Sequence, residues 1–426
     1  MREEKYLREK FVFLFLSLAC LCLSFTFKFD GWFEYDFDQP TDSTKYSVMI
    51  PFMGTYFTAS GGFRRDNIVI PPYADVLMNN YWYWDEGFFS WSNNVFTFEV
   101  GVKENHAGPG QVYQLFVSEN GFSYPSIHSV AEIGKFRVET LWGGIRVLKT
   151  DIKPVKAFNY RALVYTPFDG FEIAYEDSIL YLDRFFDPYY FFVPIPVPGI
   201  QEFWHLSAPW GYSSYELNDN SMVGAWIKYY RENYSFYSEI LIDDINMNRF
   251  LAPDSPYQNP DKIAFLAGFT GKSGPVKLTF EVAGATAFTF QRTTDDPYEY
   301  TYFEDSQFPV EKNMIGYKHG ENNIACTIKF EYESDSWSYS AEYEGLIYGD
   351  RTPDIPWHGK WSSVPYGTYW LTGDVQSEFS LRMRIAYQFK NLLPGVEKAE
   401  TGFSAGFYGG NPFVGFDLSI ALNIND

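Results

Sequence analysis

Phe379-Ser380-Leu381-Arg382-Met383-Arg384-Ile385-Ala386-Tyr387-Gln388-Phe389 is apolar or aromatic at every odd position, with Ser, Arg, Arg, Ala and Gln between. A repeat of two belongs to a β-strand, whose successive side chains leave on opposite faces. One such strand would also suit a half-buried strand of a soluble sandwich, but the alternation recurs along the chain. Val276, Leu278, Phe280 and Val282 alternate with Lys277, Thr279 and Glu281. Trp337, Tyr339, Ala341 and Tyr343 alternate with Ser338, Ser340 and Glu342, and Val414, Phe416, Leu418 and Ile420 with Gly415, Asp417 and Ser419. One face is greasy and rich in rings, the other charged or small, over about 9–11 residues, the length that crosses a bilayer at a tilt. The pattern predicts an all-β fold, a transmembrane antiparallel up-and-down β-barrel with lipid outside and a polar lumen.

The totals agree. Hydrophobic residues make up 46% of the 426, and aromatic residues 21%, with 34 Tyr and 42 Phe. Girdles of rings at two membrane interfaces account for such an excess, and a slightly negative mean hydropathy argues against a bundle of membrane helices. No linker, low-complexity tract or composition break divides the chain, so residues 25–426 read as one barrel. A net charge of −21 disfavours a nucleic-acid partner, which would need clustered Lys and Arg. The acid gathers in expected loops such as Asp295-Asp296-Pro297-Tyr298-Glu299, where it serves solubility more readily than a divalent-cation site.

Residues 1–24 have the form of a secretory signal peptide. Arg2, Lys5, Arg8 and Lys10 precede the apolar run from Phe11 to Phe27, with small residues before a cut after Ser24. An uncleaved anchor competes with this reading, as does lipidation at Cys20, although Ser17-Leu18-Ala19 matches a lipobox imperfectly. After cleavage Cys326 alone remains, so no intramolecular disulfide would form.

From Phe158 onward the strands come as hairpins. Tight turns are expected at residues 166–170, 231–233, 271–275 and 333–335, where Gly, Pro, Asn and Asp collect. Between the hairpins lie long connections: Asp183 to Ser221, Asn246 to Asp261, Gln291 to Asn323 and Gly349 to Asp374. Short periplasmic turns and long extracellular loops alternate in this way in outer-membrane barrels. Continuing the count, Gly409-Gly410-Asn411-Pro412 turns outside and the last strand ends in the periplasm. Earlier in the chain, Tyr46–Phe63, Val95–Val102, Phe136–Val138 and Gly144–Leu148 read as strands, interrupted by Pro71-Pro72 and by Tyr81-Trp82-Tyr83-Trp84. The total is about 16–18 strands, an even number.

Gly101-Val102-Lys103-Glu104-Asn105-His106-Ala107-Gly108-Pro109-Gly110 runs on to Tyr113-Gln114-Leu115-Phe116-Val117-Ser118-Glu119-Asn120 and then Phe122, Tyr124 and Pro125. This resembles the Wzi-type capsule-assembly outer-membrane proteins, in which a strand leads into a Trp-Gly-Pro-Gly turn, a Leu-rich run ending in Ser-x-Asn, and Pro-Phe-Pro. Ala107 stands here in place of the family's Trp. Asn218-Asp219-Asn220 through Asp243-Asp244, and Ile315-Gly316-Tyr317-Lys318-His319-Gly320-Glu321-Asn322, resemble two further family segments, with His shifted to 319. The resemblance covers most of residues 90 to 350. It implies a barrel of about eighteen strands with a lectin-like surface that helps retain or assemble a polysaccharide coat.

The residues themselves suggest binding rather than catalysis. Gly108, Pro109 and Gly110 read as a structural turn or plug loop, with Ser118 and Asn120 completing the family motif. Asp243 and Asp244 are neighbours in a strand and face opposite sides, so they do not make a paired-acid site. Gly402-Phe403-Ser404-Ala405-Gly406 matches G-x-S-x-G but falls in an expected spanning strand, not at a strand-to-helix elbow. The five His show no metal-ligand spacing, and no metal or cofactor is implied. Sugar-binding candidates are rings in the long loops, because flat rings stack on pyranose faces: Trp204 and Trp210, then Trp357, Trp361 and Trp370 beside His358. Folding of these rings down over the barrel mouth competes evenly. Lys277, Glu281, Arg382 and Arg384 are expected to line the lumen. The expected partners are outer-membrane lipid, surface polysaccharide and, during insertion, the barrel-assembly machinery. A general diffusion porin is the second reading, and a membrane enzyme using His319 or Ser404 the third.

Overall fold

The computed structural model describes residues 26–36, 40–52, 55–65, 76–77, 80–146, 155–201, 219–254, 260–291, 299–303, 310–350, 369–389 and 396–423. Side chains are described from residue 86 onward, apart from 248, 396–398 and 421–423. The strands are β1 (Thr26–Asp36), β2 (Pro40–Phe52), β3 (Thr55–Arg65), β4 (Val76–Leu77), β5 (Asn80–Ser92), β6 (Phe96–Lys103), β7 (Tyr124–Ile133), β8 (Phe136–Arg146), β9 (Lys156–Phe168) and β10 (Phe171–Leu182). They continue as β11 (Asn220–Arg231), β12 (Tyr234–Asp244), β13 (Lys262–Ser273), β14 (Val276–Ala285), β15 (Asn323–Glu333), β16 (Trp337–Tyr348), β17 (Gln376–Phe389), β18 (Val396–Tyr408) and β19 (Asn411–Asn423). Short helices α1 (Pro188–Phe192), α2 (Asn248–Leu251) and α3 (Val310–Asn313) lie in the connections.

Among the described residues β4 pairs with β5 alone. Each of the other eighteen strands pairs antiparallel on both sides, and β1 bonds to β2 and to β19, so the sheet closes on itself. An even count brings the first and last strands out at one end, where Thr26 lies opposite Asn423. The expected hairpins are present, and their short turns all fall at that end. The long connections leave from the other end, together with the tight turn Gly409-Gly410 with φ of 54° and 86°, the double left-handed geometry a two-residue hairpin needs.

Several sequence expectations change. Tyr46–Phe63 is a hairpin, β2 and β3, rather than one strand, whereas Phe136–Val138 and the described part of Gly144–Leu148, up to Arg146, belong to the single strand β8. Tyr81–Trp84 does not interrupt the sheet but lies inside β5; four consecutive rings hide the period of two. β14 stops at Ala285, and beyond it Phe288 and Phe290 adopt positive φ, 68° and 72°, outside the range of a strand. Pro71-Pro72 lies outside the described residues.

The wall alternates as expected. Along β14, Leu278 and Phe280 are exposed while Thr279, Glu281 and Ala283 are buried. Rings crowd the outer face beside the short turns: Phe136 on Tyr165 at 4.9 Å, Phe168 on Phe171 at 5.2 Å, Phe236 on Phe269 at 4.9 Å, and Trp337 on Tyr387 at 4.7 Å. Such a girdle sits where hydrocarbon meets headgroups. The main cluster of buried apolar side chains, by contrast, lies inside the barrel.

Candidate functional site

The interior is filled from the long-loop end. After β6 the chain turns inward through residues 104–123 before returning as β7. Tyr113, Leu115, Phe116 and Val117 of this segment are fully buried. Gly108 (φ 94°), Pro109 and Gly110 make the bend, and a Cβ on Gly110 would collide with the Tyr113 carbonyl oxygen. The bend aims three successive backbone amides at one carboxylate. Gln111 N donates to Glu281 Oε1 at 2.5 Å, and Val112 N and Tyr113 N to Oε2 at 3.0 and 2.8 Å. The Tyr237 hydroxyl adds a fourth bond, to Oε1 at 2.5 Å. Consecutive amides converging in this way form an anion nest, filled here by the wall of the protein itself.

A second carboxylate holds the other side. Tyr113 donates its hydroxyl to Glu344 Oε1 at 2.7 Å; burial first, then the charge of Glu344, pushes that phenol up, so it stays a donor. Glu344 also takes Lys318 Nζ at 2.8 Å and His319 Nε2 at 3.0 Å. Lys318 and His319 come from a second inward segment, residues 310–322, which bonds to the first: Ser118 N reaches Ile315 O at 2.8 Å, and Tyr317 N reaches Leu115 O at 3.3 Å. Asn323 at the head of β15 ties this segment down by donating to the carbonyls of His319, Gly320 and Glu321. Two inward segments and two wall glutamates therefore make one plug.

The structure sorts the expected site residues. Gly108, Pro109 and Gly110 form the bend of the plug, and Ser118 accepts from the backbone and side-chain nitrogens of Asn120 at 3.0 and 2.8 Å, closing a local turn. Lys277, Glu281, Arg382 and Arg384 all point inward. Glu281 is wholly buried under the plug, and Lys277 pairs with Glu331 at 3.0 Å. Arg382 stacks over Phe413, and Arg384 holds Asp417 with two nitrogens and Glu400 at 2.9 Å. Trp370 donates its indole N–H to Asn323 O at 3.1 Å and packs on outward-facing Phe265. Trp204, Trp210, Trp357, Trp361 and His358 lie outside the described residues. His319 is 1% exposed with Glu344 and Glu311 on its two nitrogens, and Ser404 lies mid-strand opposite Arg384 and Gly415.

One long connection goes the other way. On β8, β9 and β10 the outward series that begins with exposed Phe136, Leu163 and Ile173 continues to Trp142, Ala157, Arg161, Asp177 and Tyr181, yet these are covered. Residues 183–201 lie over them as a strap on the outer wall. Asp187 caps α1 by accepting from Tyr189 N, and Pro188 fits its first turn. Beneath the strap, Arg161 and Asp177 pair at 2.7 Å. Arg161 also donates to the carbonyls of Val193 and Ile195, and Val197 N donates to Asp177. At its far end Asp219 receives Arg184 and the Tyr190 hydroxyl, and burial raises its carboxyl above the usual range against the pull of Arg184. Phe185, Phe192 and Ile195 stay exposed.

A girdled cylinder, closed among the described residues by eighteen antiparallel strands, leaves one class. The fold is that of an outer-membrane β-barrel. Among solved structures it is similar to Wzi of Escherichia coli, described as an outer membrane protein involved in group 1 capsule assembly and a carbohydrate-binding β-barrel. That match has a TM-score of 0.57 and 11% identity over 96% of this chain and 86% of the other. OccK5 (OpdH) of Pseudomonas aeruginosa aligns at a TM-score of 0.48 and 9% identity over 94% of this chain and 98% of the other. OprD of the same organism aligns at 0.48 and 8%, over 95% and 96%. No protein-family model and no curated protein matches the sequence.

Proposed function

We propose that this barrel resides in the outer membrane and binds or anchors surface polysaccharide, with its lumen closed to solute flow. The observation that carries the reading is the latch on Glu281. Three plug amides and a tyrosine hydroxyl spent on one wall carboxylate favour a lumen that stays shut, whereas a diffusion channel needs a continuous wet path. The plug also coincides with the Gly108–Asn120 stretch that resembles the capsule-assembly family. Carbohydrate binding by the structurally similar Wzi points in the same direction. Glycan would be held at the long-loop end by stacking on rings such as Trp204, Trp210, Trp357 and Trp361. At −21 net charge the protein would repel an acidic polymer, so a neutral glycan, or an acidic one bridged by cations, is the ligand expected. Residues 1–24 would direct export, and the barrel-assembly machinery would insert the strands.

The porin reading remains the alternative, favoured by two cavities of about 320 and 420 Å3 beside the plug, both lined by His106, Gly108, Arg137 and Trp226. Single-channel recording in planar bilayers separates the two, since only a porin gives large steady openings. The anchoring role is tested by deleting the gene and measuring cell-associated against shed polysaccharide. Unchanged retention would overturn it.

A further inference from the structure

The strap crosses β8, β9 and β10 at a depth where a loop in water would not sit. A strand tilted by about 40° climbs roughly 2.5 Å per residue along the barrel axis. Arg161 stands seven residues along β9 from Phe168, and Asp177 six along β10 from Phe171, the stacked girdle rings beside the short turns. Both charges therefore lie about 15–18 Å above that girdle, inside an apolar band about 25 Å tall. The strap residues that bond to them, Val193, Ile195 and Val197, share that height. They lie about 7–10 Å inside the outer edge of the hydrocarbon.

The surface of the strap suits that depth. From residue 184 to residue 201 the exposed positions are Phe185, Pro188, Phe192, Pro194, Ile195 and Pro196, none of them polar. A loop standing in water would carry polar side chains there. The two charged side chains of the stretch, Arg184 and Asp187, turn from the surface and pair with each other at 3.4 Å, 9% and 12% exposed.

The backbone suits it too. Irregular chain persists in hydrocarbon only where the protein itself meets its polar groups. Pro194 and Pro196 have no N–H to satisfy. Val193 N donates to Tyr189 O at 3.1 Å, Ile195 N to Val193 O at 2.9 Å, and Val197 N to Asp177 Oδ2 at 2.9 Å. Every amide from 193 to 197 is thus spent or missing. The carbonyls of Val193 and Ile195 accept from Arg161.

We infer that the strap is immersed in the outer leaflet and that Phe185, Phe192 and Ile195 form a docking surface for lipid acyl chains. This face continues the lipid-facing series of Leu163, Tyr165 and Ile173 on the same strands, and restores it where Arg161 and Asp177 interrupt the wall. It stands whether or not the long loops hold a surface polymer.

The test places a nitroxide on the full-length barrel in vesicles of dioleoylphosphatidylcholine, with Cys20, Cys22 and Cys326 replaced by Ser. Phe192→Cys and Ile195→Cys carry the probe in turn. Leu163→Cys on the wall and Glu232→Cys in the turn between β11 and β12 are the lipid and water controls. Power-saturation EPR compares collisions with oxygen, which concentrates in hydrocarbon, and with a neutral nickel chelate, which stays in water. At both strap positions the balance favours oxygen, as at Leu163 and opposite to Glu232. A balance favouring nickel at either position would put the strap in water, and exclusion of both reagents would mean that a second copy covers it. Either result overturns the assignment. Folding is checked by resistance to unfolding in SDS without heat, and if one strap variant fails that check the other decides.

Discussion

The connection after β6 and the connection after β10 leave the same end of the barrel and part company. One folds into the lumen and the other over the lipid-facing wall, although both are rich in rings: Tyr113 and Phe116 in the plug, Phe186, Tyr190 and Phe191 in the strap. Apolar content therefore does not choose the side. The wall does. Inside, Glu281 and Glu344 accept from plug amides and a tyrosine. Outside, Arg161 and Asp177 break the greasy series of β9 and β10, and strap carbonyls and an amide complete their bonding. A strand residue whose polar groups its sheet neighbours cannot satisfy recruits the loop that can, because an unmet buried charge costs more than ordering the loop.

The largest expected effect comes from removing the inner acceptor. Glu281→Leu deprives three amides and the Tyr237 hydroxyl of their partner, at about 1–3 kcal/mol for each donor left buried. The plug should detach from a barrel that still resists SDS, giving channel openings in planar bilayers and protease cuts within residues 104–123. Glu281→Gln keeps one acceptor oxygen and should do so more weakly. A Glu281→Leu barrel as closed as the parent would break the proposed latch.

Next comes the outer pair. Arg161→Met leaves Asp177 covered and without its cation, a loss of about 3–5 kcal/mol for such pairs. Proteolysis should reach residues 183–201 while conductance stays at the parent level. The double change Arg161→Met and Asp177→Leu should recover most of the loss, because an apolar pair asks nothing of the strap. If the single change opened the lumen, the two regions would not be independent.

How much of this was legible follows from the same comparison. Strand faces depend on neighbours two residues away, so the period of two was enough to read the barrel, and the turn residues between the runs were enough to read the hairpins. The fate of a loop depends on a wall residue far along the chain: Gln111 meets Glu281 across 170 residues, and nothing local announces it. The strap did leave signals that went unused. Arg161 and Asp177 share the greasy series with Leu163 and Tyr175, and a charge on that face needs a cover. Asp187-Pro188 is also a helix start inside a supposed loop.

A smaller effect is expected at the bend of the plug. Gly108→Val forces a left-handed backbone, at about 1–2 kcal/mol, and brings a Cβ to 3.1 Å from Glu239 Oε2. Brief openings rather than a free channel should result.

The smallest effect sharpens the rule by testing a charge that recruits no loop. Arg384 on β17 finds both its acids within the sheet, Asp417 on β19 through two nitrogens and Glu400 on β18. Arg384→Lys keeps the charge but loses the planar two-nitrogen grip, which should cost about 1 kcal/mol and lower the melting temperature of the barrel slightly. The plug latch is built from other residues, so bilayer conductance should not move. A channel opened by this change would mean that wall charges act on the plug through the sheet, and that the local satisfaction of each polar group is not what decides where a loop goes.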